Sequence, residues 1–334
     1  MQNKVLICGF GSIGRLYAKV CEDIFNEIFI YDSDKEISLP ENYHFIEEVN
    51  QIRESFDLII DATHADNRVH LVKKLIKHTK LIITEKLLCN DYSQINEWEN
   101  LARNKNLSIS ATGRWEVLSL NTYINKLSKK YNLGNTISLN ITGGNCCLST
   151  GGSHWISNFF SAIEQTDYFD KLRIDFNISI DSFNPRSEDL EMLSGDITIR
   201  NGDFPFRISF HKNSRISVFA EYIFEYGRVY LNQDGSLTCH YYSSQPKFRH
   251  IAHYVPTDAS INLLIEHSNE VQTLNISRTL KGNPISIIPG VIASKILIYA
   301  ASISKHHNKS KYDVTLEQID TYFSNIEETR VKLT

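Results

Sequence analysis

The side chains best suited to chemistry lie in three places. Glu85 and Lys86 end the apolar run KLIITEK (residues 80–86), His154 sits within LSTGGSHWISNFF (residues 148–160), and Arg114 follows SATG. A lysine at a strand end can donate to a substrate oxygen, and a cationic neighbour lowers its pKa. Such lysines are also common as solvated charges. His154 enters an aromatic-rich helix behind the flexible Thr150-Gly151-Gly152-Ser153. The helix dipole disfavours an imidazolium there, leaving a neutral ring able to accept a proton near pH 7. A histidine that only caps the helix fits the same pattern. The planar fork of Arg114 suits a substrate carboxylate or phosphate; it suits a structural partner such as Glu116 or Glu85 equally well.

An amine and an imidazole move protons, and a redox reaction needs an electron carrier as well. The start of the chain carries one. In KVLICGFGSIGR (Lys4 to Arg15) an apolar run, Val5 to Cys8, meets Gly9, Gly11 and Gly14, and Leu16 to Phe25 reads as a helix. This is G-x-G-x-x-G between a strand and a helix. Gly9 permits the tight turn, Gly11 lets backbone approach a pyrophosphate, and Gly14 allows helix and strand to pack closely. Phe10, Ser12 and Ile13 complete the loop, whose free N–H groups and helix dipole face the phosphates. The second strand, within IFIYDSD (residues 28–34), ends at Asp32, eighteen residues after Gly14. Its carboxylate can accept both ribose hydroxyls of the adenosine half. It would repel a 2′-phosphate, and only Lys35 stands near to offset that, so NAD is favoured over NADP. Thr63, Glu85 and Lys86, at the ends of the next strands, join the cofactor-binding set.

These residues need a sheet to hold them, and the pattern supplies one. DLIIDATH (57–64) is a continuous apolar run, as in a strand buried on both faces of a parallel sheet. Residues 65–78 have apolar positions at helical spacing with lysines opposite, KLIITEK is the next strand, and DYSQINEWENLARNKN is a helix capped at Asp91 or Ser93. A short segment at 44–46, a helical stretch over 48–55 and the strand LSISATG (107–113) complete the alternation. The fold class is α/β: an N-terminal Rossmann doubly wound parallel sheet over residues 1–113, with its ligand at the C-terminal strand ends. Residues 114–334 form an α+β domain for substrate binding and oligomerisation. There, one helix spans Glu116 to Tyr131, and consecutive antiparallel strands run from Arg173 to His253. Turns fall at Asn201-Gly202-Asp203, Tyr226-Gly227 and Gln233-Asp234-Gly235, and the last eighty residues are helical.

The bulk properties exclude several classes. At 334 residues the chain is long for one core, and it is 42% apolar and 22% charged with a net charge of −4. Lysine and arginine form no stripe, so no nucleic-acid partner is expected. The longest apolar stretch, Ile285 to Ile303, is broken by Pro289, Gly290, Ser294 and Lys295 and reads as a buried helix, so no membrane partner is expected. The N-terminus enters a strand directly, without a signal peptide. Six cysteines without C-x-x-C spacing, including the adjacent Cys146 and Cys147, read as reduced thiols of a cytoplasmic protein. His250 with His253, and His306 with His307, lack companion ligands, so no metal site is expected.

Together these segments resemble the Gfo/Idh/MocA oxidoreductases, named for glucose–fructose oxidoreductase and inositol dehydrogenase. GFGSIG with Asp32 is similar to the family's dinucleotide fingerprint. DATHADNRVHLVKKLIKHTKLIITEKLL resembles its stretch ending in Glu-Lys-Pro, SATGRWEVLS its arginine-bearing segment, and GGNCCLSTGGSHWISNFF the stretch with a catalytic histidine. The resemblance is specific in the N-terminal half and looser beyond. It implies NAD-dependent hydride transfer at a hydroxyl or keto carbon of a sugar, sugar acid or sugar nucleotide, as in bacterial surface-sugar pathways. Lys86 would orient the substrate and share its proton, His154 would be the acid/base, and Arg114 and Trp115 would contact the substrate. It also implies a homodimer or homotetramer through the C-terminal sheet. Three departures stand out: Leu87 replaces the proline after Glu-Lys, and Thr150 and Ser157 replace acidic residues flanking the histidine. Without those carboxylates nothing in the motif raises the basicity of His154. The alternative function is therefore a catalytically silent NAD-binding sensor of the same fold.

Overall fold

The structure, a computed structural model, describes residues 3–144, 147–163, 172–181, 191–211, 213–214, 216–231, 236–242, 254–256, 261–262, 269–305, 310–327 and 329–333. Cys146, His250, His253, His306, His307 and the turn at 233–235 lie outside them. β1 (Lys4–Cys8), β2 (Glu27–Tyr31), β3 (Tyr43–Ile46), β4 (Leu58–Asp61), β5 (Leu81–Thr84) and β6 (Ser108–Ala111) form one sheet in the order β3-β2-β1-β4-β5-β6. Every pairing is parallel. The order reverses beside β1, so the strand ends there open into a crevice. Leu58, Ile59 and Ile60 are fully buried, the double-faced burial their continuous apolar run requires.

The connecting helices differ in detail from the sequence pattern. α1 (Ser12–Cys21) starts earlier and ends sooner than the Leu16 to Phe25 expected, because Gly14 already lies inside its first turn. The stretch at 48–55 contains only a 3₁₀ turn, Val49–Gln51. α2 is Arg68–Leu75 and α3 Ile95–Ala102. The single helix expected over 116–131 is two, α4 (Arg114–Val117) and α5 (Leu120–Tyr131), separated where Ser119 adopts a φ of +58°.

The second sheet contains β7 (Thr136–Gly144), β8 (Leu172–Asp181), β9 (Met192–Asn201), β10 (Phe204–His211), β11 (Phe219–Phe224), β12 (Gly227–Leu231) and β13 (Ser236–Tyr242). β14 (Tyr254–Pro256), β15 (Ile261–Asn262) and β16 (Ser310–Val314) complete it. The order is β14-β13-β12-β11-β7-β10-β9-β8-β16, with β15 beside β13. Consecutive antiparallel pairing holds within β8–β9–β10 and within β11–β12–β13, and fails between them. β7 intervenes there, parallel to β10 and antiparallel to β11. The final eighty residues likewise are not all helical, since three short strands join the sheet around α7 (Glu270–Leu280), α8 (Ile288–Lys305) and α9 (Leu316–Ser324).

Two helices cover one face of this sheet, α8 and α6 (Ser153–Ile163). Phe159 of α6 stacks on Phe206 with ring centroids 4.8 Å apart, and Ile296 to Ala301 of α8 are buried. α8 is long and apolar enough to cross a membrane, but 67% of it is buried inside the protein, as the core helix of a folded chain is. α7 crosses back to the first sheet. It packs on α1, β5 and β6, and Ile276 is buried among Val5, Tyr17, Leu58 and Ile83.

Candidate active site

The chain turns at Gly9 with φ of +87°, a conformation glycine adopts without strain. A Cβ there would lie 2.8 Å from the Ala62 carbonyl oxygen, and one at Gly14 would lie 1.9 Å from the Gly9 carbonyl oxygen. Gly11 is different: its Cβ would meet nothing within 4 Å. Two glycines thus serve the protein's own packing, and the third leaves open surface. That surface borders a cavity of about 1210 Å³ lined also by Gly9, Phe10, Ser12, Asp32, Thr63 and Asn67, the residue just before α2. Ile13 and Gly14 lie behind the lining; Gly14 is buried in the helix, and Ile13 is half-buried against the core around Tyr17.

Asp32 is fixed at the end of β2 by backbone. Its carboxylate accepts the Phe10 N–H at 2.5 Å and the Asp34 N–H at 2.9 Å. Lys35, the lysine that follows Asp32 in sequence, is engaged elsewhere. It pairs with Glu48 at 3.8 Å and donates to the Glu47 carbonyl. The glycine loop and the carboxylate at the end of β2 are therefore coupled through one hydrogen bond.

A second device, invisible to motif reading, joins this cavity to Lys86. Arg68, buried at the start of α2, pairs with buried Asp61 of β4, Nε to Oδ2 at 3.2 Å. Its Nη1 donates to the carbonyls of Glu85, at 2.6 Å, and Leu87, and its Nη2 donates to the carbonyl of Thr63. Asp61 also accepts the Thr63 hydroxyl at 2.6 Å and the Thr84 hydroxyl at 3.0 Å. One buried ion pair thus holds the backbone on both sides of Lys86 and the cavity-lining loop after β4. The peptide bond from Lys86 to Leu87 is cis.

Lys86 and His154 lie at one pocket, of about 10 Å³, which they line with Gly113, Ser157 and, from α8, Gly290 and Ser294. Lys86 Nζ donates to the Thr150 carbonyl at 3.0 Å, so Thr150 contributes backbone where the resemblance implies an acid. A π-helical turn, Leu148–Gly152, feeds α6, which presents His154 in its first turn. The Arg114 N–H donates to His154 Nδ1 at 3.2 Å. That bond leaves Nδ1 without a proton, so the neutral ring carries its hydrogen on Nε2. Burial, and then the Lys86 and Arg114 cations, push the imidazole pKa well below its ordinary value. His154 is a hydrogen-bond donor at neutral pH, not the ready base that its helix position alone suggested.

Three other residues sit differently from expectation. Glu85 turns away from the crevice into a buried cluster: its Oε1 accepts from the Tyr17 hydroxyl at 3.4 Å, and that hydroxyl lies 2.8 Å from Thr112 Oγ1. Burial raises its pKa. Trp115 is buried with its ring 4.4 Å from that of Trp155, so it supports α6 and does not line the pocket. Arg114 pairs with neither Glu85 nor Glu116; its guanidinium lies over the Trp115 ring, 5.1 Å from the centroid. Glu116 is itself buried and accepts the Ser157 hydroxyl at 2.5 Å, and burial lifts its pKa to about 7. Ser157 thus reaches a carboxyl that comes from α4 and not from the histidine motif.

No family model and no curated protein matches the chain. Solved structures do. A levoglucosan dehydrogenase, in complex with NADH and L-sorbose, superposes with a TM-score of 0.69 at 13% identity over 94% of this chain and 100% of the other. The chain shares its fold with oxidoreductases. An Agrobacterium radiobacter oxidoreductase, in complex with NAD+, L-tartaric acid and magnesium, gives 0.66 at 11% identity over 95% and 99%. The dehydrogenase MviM of Clostridium difficile gives 0.61 at 13% identity over 89% and 98%.

Proposed function

We propose that the protein is an NAD-dependent oxidoreductase that exchanges a hydride at a hydroxyl or keto carbon of a carbohydrate. The observation that carries this reading is the linkage through Arg68 of a cavity lined by an open glycine loop and Asp32 to the backbone flanking Lys86, which shares a pocket with His154. The residues fit a dinucleotide: Gly11 presents bare backbone to a large cavity, and the amide of Phe10 is locked to Asp32. The carboxylate of Asp32 and the engagement of Lys35 by Glu48 both favour NAD over NADP. A bound nicotinamide would supply the hydride donor or acceptor.

The protein's own groups handle the substrate oxygen. His154 donates Nε2–H to it and fixes its direction. Lys86 carries the proton, given to the oxygen on reduction and taken back on oxidation. This exchanges the roles that the resemblance implies, because a neutral imidazole already protonated at Nε2 has no lone pair there to accept with. Substrate entry breaks the Lys86–Thr150 hydrogen bond and enlarges the pocket. The polar outer face of the second sheet, carrying the Arg200–Asp175 and Arg228–Glu221 pairs, is where a homodimer or homotetramer would form. Light scattering on the purified protein checks that assembly.

Two measurements test the function. Calorimetry with NAD and NADP should give the tighter Kd for NAD. With a sugar panel, NADH absorbance should report turnover that Lys86→Met abolishes and His154→Ala reduces by about 10²-fold or more. Turnover indifferent to both substitutions would refute the mechanism. NAD binding without turnover of any carbohydrate would favour the silent sensor.

A further inference from the structure

The pocket that Lys86 and His154 share has another polar side chain in its wall, one that the proposed chemistry leaves unused. Ser157 follows His154 by three residues on α6, so the two project from the same side of the helix. Its hydroxyl donates to Glu116 Oε1 at 2.5 Å, and Glu116 comes from a different element, α4. The carboxyl lies just behind the pocket wall. A Cβ on the lining residue Gly113 would stand 2.4 Å from Glu116 Oε2, so bare backbone there is what leaves room for it. Oε2 is buried without a partner, and the carboxyl enters no ion pair among the described residues. The groups on the elements packed against α4 are committed elsewhere or uncharged. Arg278 of α7 gives Nη1 to the Glu116 and Val117 carbonyls and to Ser119 Oγ, and Arg114, on α4 itself, lies over Trp115. The buried side chains of α5 are Leu120, Ile124 and Leu127, and burial keeps Tyr222 of β11 a neutral phenol.

A buried carboxylate with one oxygen unmatched and no cation paired to it is costly, and keeping its proton removes that cost. From this juxtaposition we propose that Glu116 is the proton store of the pocket and that Ser157 is the relay through which it acts. The proposal rests on the oxidoreductase reading above and adds to it the route by which Lys86 recovers its proton. Reduction leaves Lys86 as a free amine, in a pocket at the lower limit of what one water fills. Glu116 then gives a proton from Oε1 to Ser157 Oγ while the Ser157 hydroxyl gives its own to the amine. One O–H bond forms on Ser157 as the other breaks, and the products are a carboxylate and an ammonium. Oxidation runs the same exchange backwards. Burial lifts the Glu116 pKa to about 7, where the group can give or take a proton with equal ease. Glu116 does not line the pocket itself; it is a positioning residue whose charge sets whether Ser157 presents a donor or an acceptor there.

The test reads both ends of the relay in the full chain, with neither cofactor nor substrate added. Infrared difference spectra between acid and alkaline pH should show a protonated-carboxyl stretch that disappears with a midpoint of about 7 and is missing from Glu116→Gln. In Ser157→Ala that midpoint should rise, because the hydroxyl that steadies the carboxylate is gone. Nitrogen resonances of isotope-labelled histidine, with the His154 signals assigned through His154→Gln, read the pocket end. The His154 ring is neutral near pH 7, so a step there in its signals reports a neighbour. That step should be present in the wild type, absent from Glu116→Gln and largely lost in Ser157→Ala, with a single thermal transition showing each variant to be folded. A carboxyl that does not titrate near pH 7, or a His154 step that survives Glu116→Gln, overturns the store. A step of full size in Ser157→Ala overturns the relay. A wild-type chain that shows the linkage and turns over no carbohydrate overturns the oxidoreductase reading instead, so the two failures are distinguishable.

Discussion

Single residues in this protein separate cleanly by what surrounds them. Gly11 and Gly14 are one motif in sequence, yet a methyl group at Gly14 would overlap the Gly9 carbonyl while one at Gly11 would stand in open cavity. Gly14→Ala should therefore destabilise the fold. Gly11→Ala should leave the urea midpoint nearly unchanged and weaken NAD, and equal effects of the two on stability would contradict the assignment. Glu116 makes a pH prediction. Its carboxyl has a folded pKa of about 7 against an ordinary 4.5, so the folded state binds more protons than the unfolded between those values. The associated stability is full below about pH 4.5 and is lost as pH rises through 7. By pH 8 the shift corresponds to roughly 3 kcal/mol, order of magnitude. Glu116→Gln should be the more stable protein at pH 8 and lose that advantage at pH 4. The fingerprint and the strand-end lysine were legible because local sequence encodes them. Ser157 with Glu116, and Arg114 on His154, join positions forty residues apart and were not.

At the scale of elements, the informative unit is the β4–α2–β5 segment. Its apolar run and helical spacing announced two strands and a helix. Nothing in the pattern announced that Arg68, the first residue of α2, would turn inward to Asp61 and hold the carbonyls flanking Lys86. Breaking a buried pair on one side leaves the other charge unmatched, at a cost of roughly 3–5 kcal/mol. Arg68→Met should lower stability by about that amount and reduce kcat far more than it raises the Kd for NAD, since Asp32 and the glycine loop lie outside the clamp. An Arg68→Met enzyme with normal kcat would show that the pair only supports the fold. The position of β7 was equally hidden. Alternation tells which face of a strand is buried, and it does not tell which neighbour it chooses. The break between α4 and α5 went unseen because a polar residue at a left-handed φ leaves no signature in apolar spacing.

For the whole molecule, the decisive contact is α7 on the first sheet. Asn275 is fully buried, accepts the Ser110 hydroxyl at 2.8 Å and donates to Thr112 Oγ1 at 3.2 Å, and Thr112 in turn meets Tyr17 and the Glu85 cluster. Composition and length suggested two units in series, which is how the strands divide, but this helix belongs to both. Heating should therefore give one cooperative transition. Asn275→Ala should lower it by the roughly 1–3 kcal/mol of a buried unsatisfied group, moving the NAD-protected transition with it. Two separated transitions in calorimetry would argue against this coupling. The same contact constrains how the protein is made. A ribosome that has released only the first 113 residues has produced all six strands of the first sheet, yet the apolar seat of Ile276 and the hydroxyls of Ser110 and Thr112 still await a segment some 160 residues downstream. Until that late helix emerges, the newborn chain holds its first sheet open on one side, and a chaperone able to shelter that seat would find its client there.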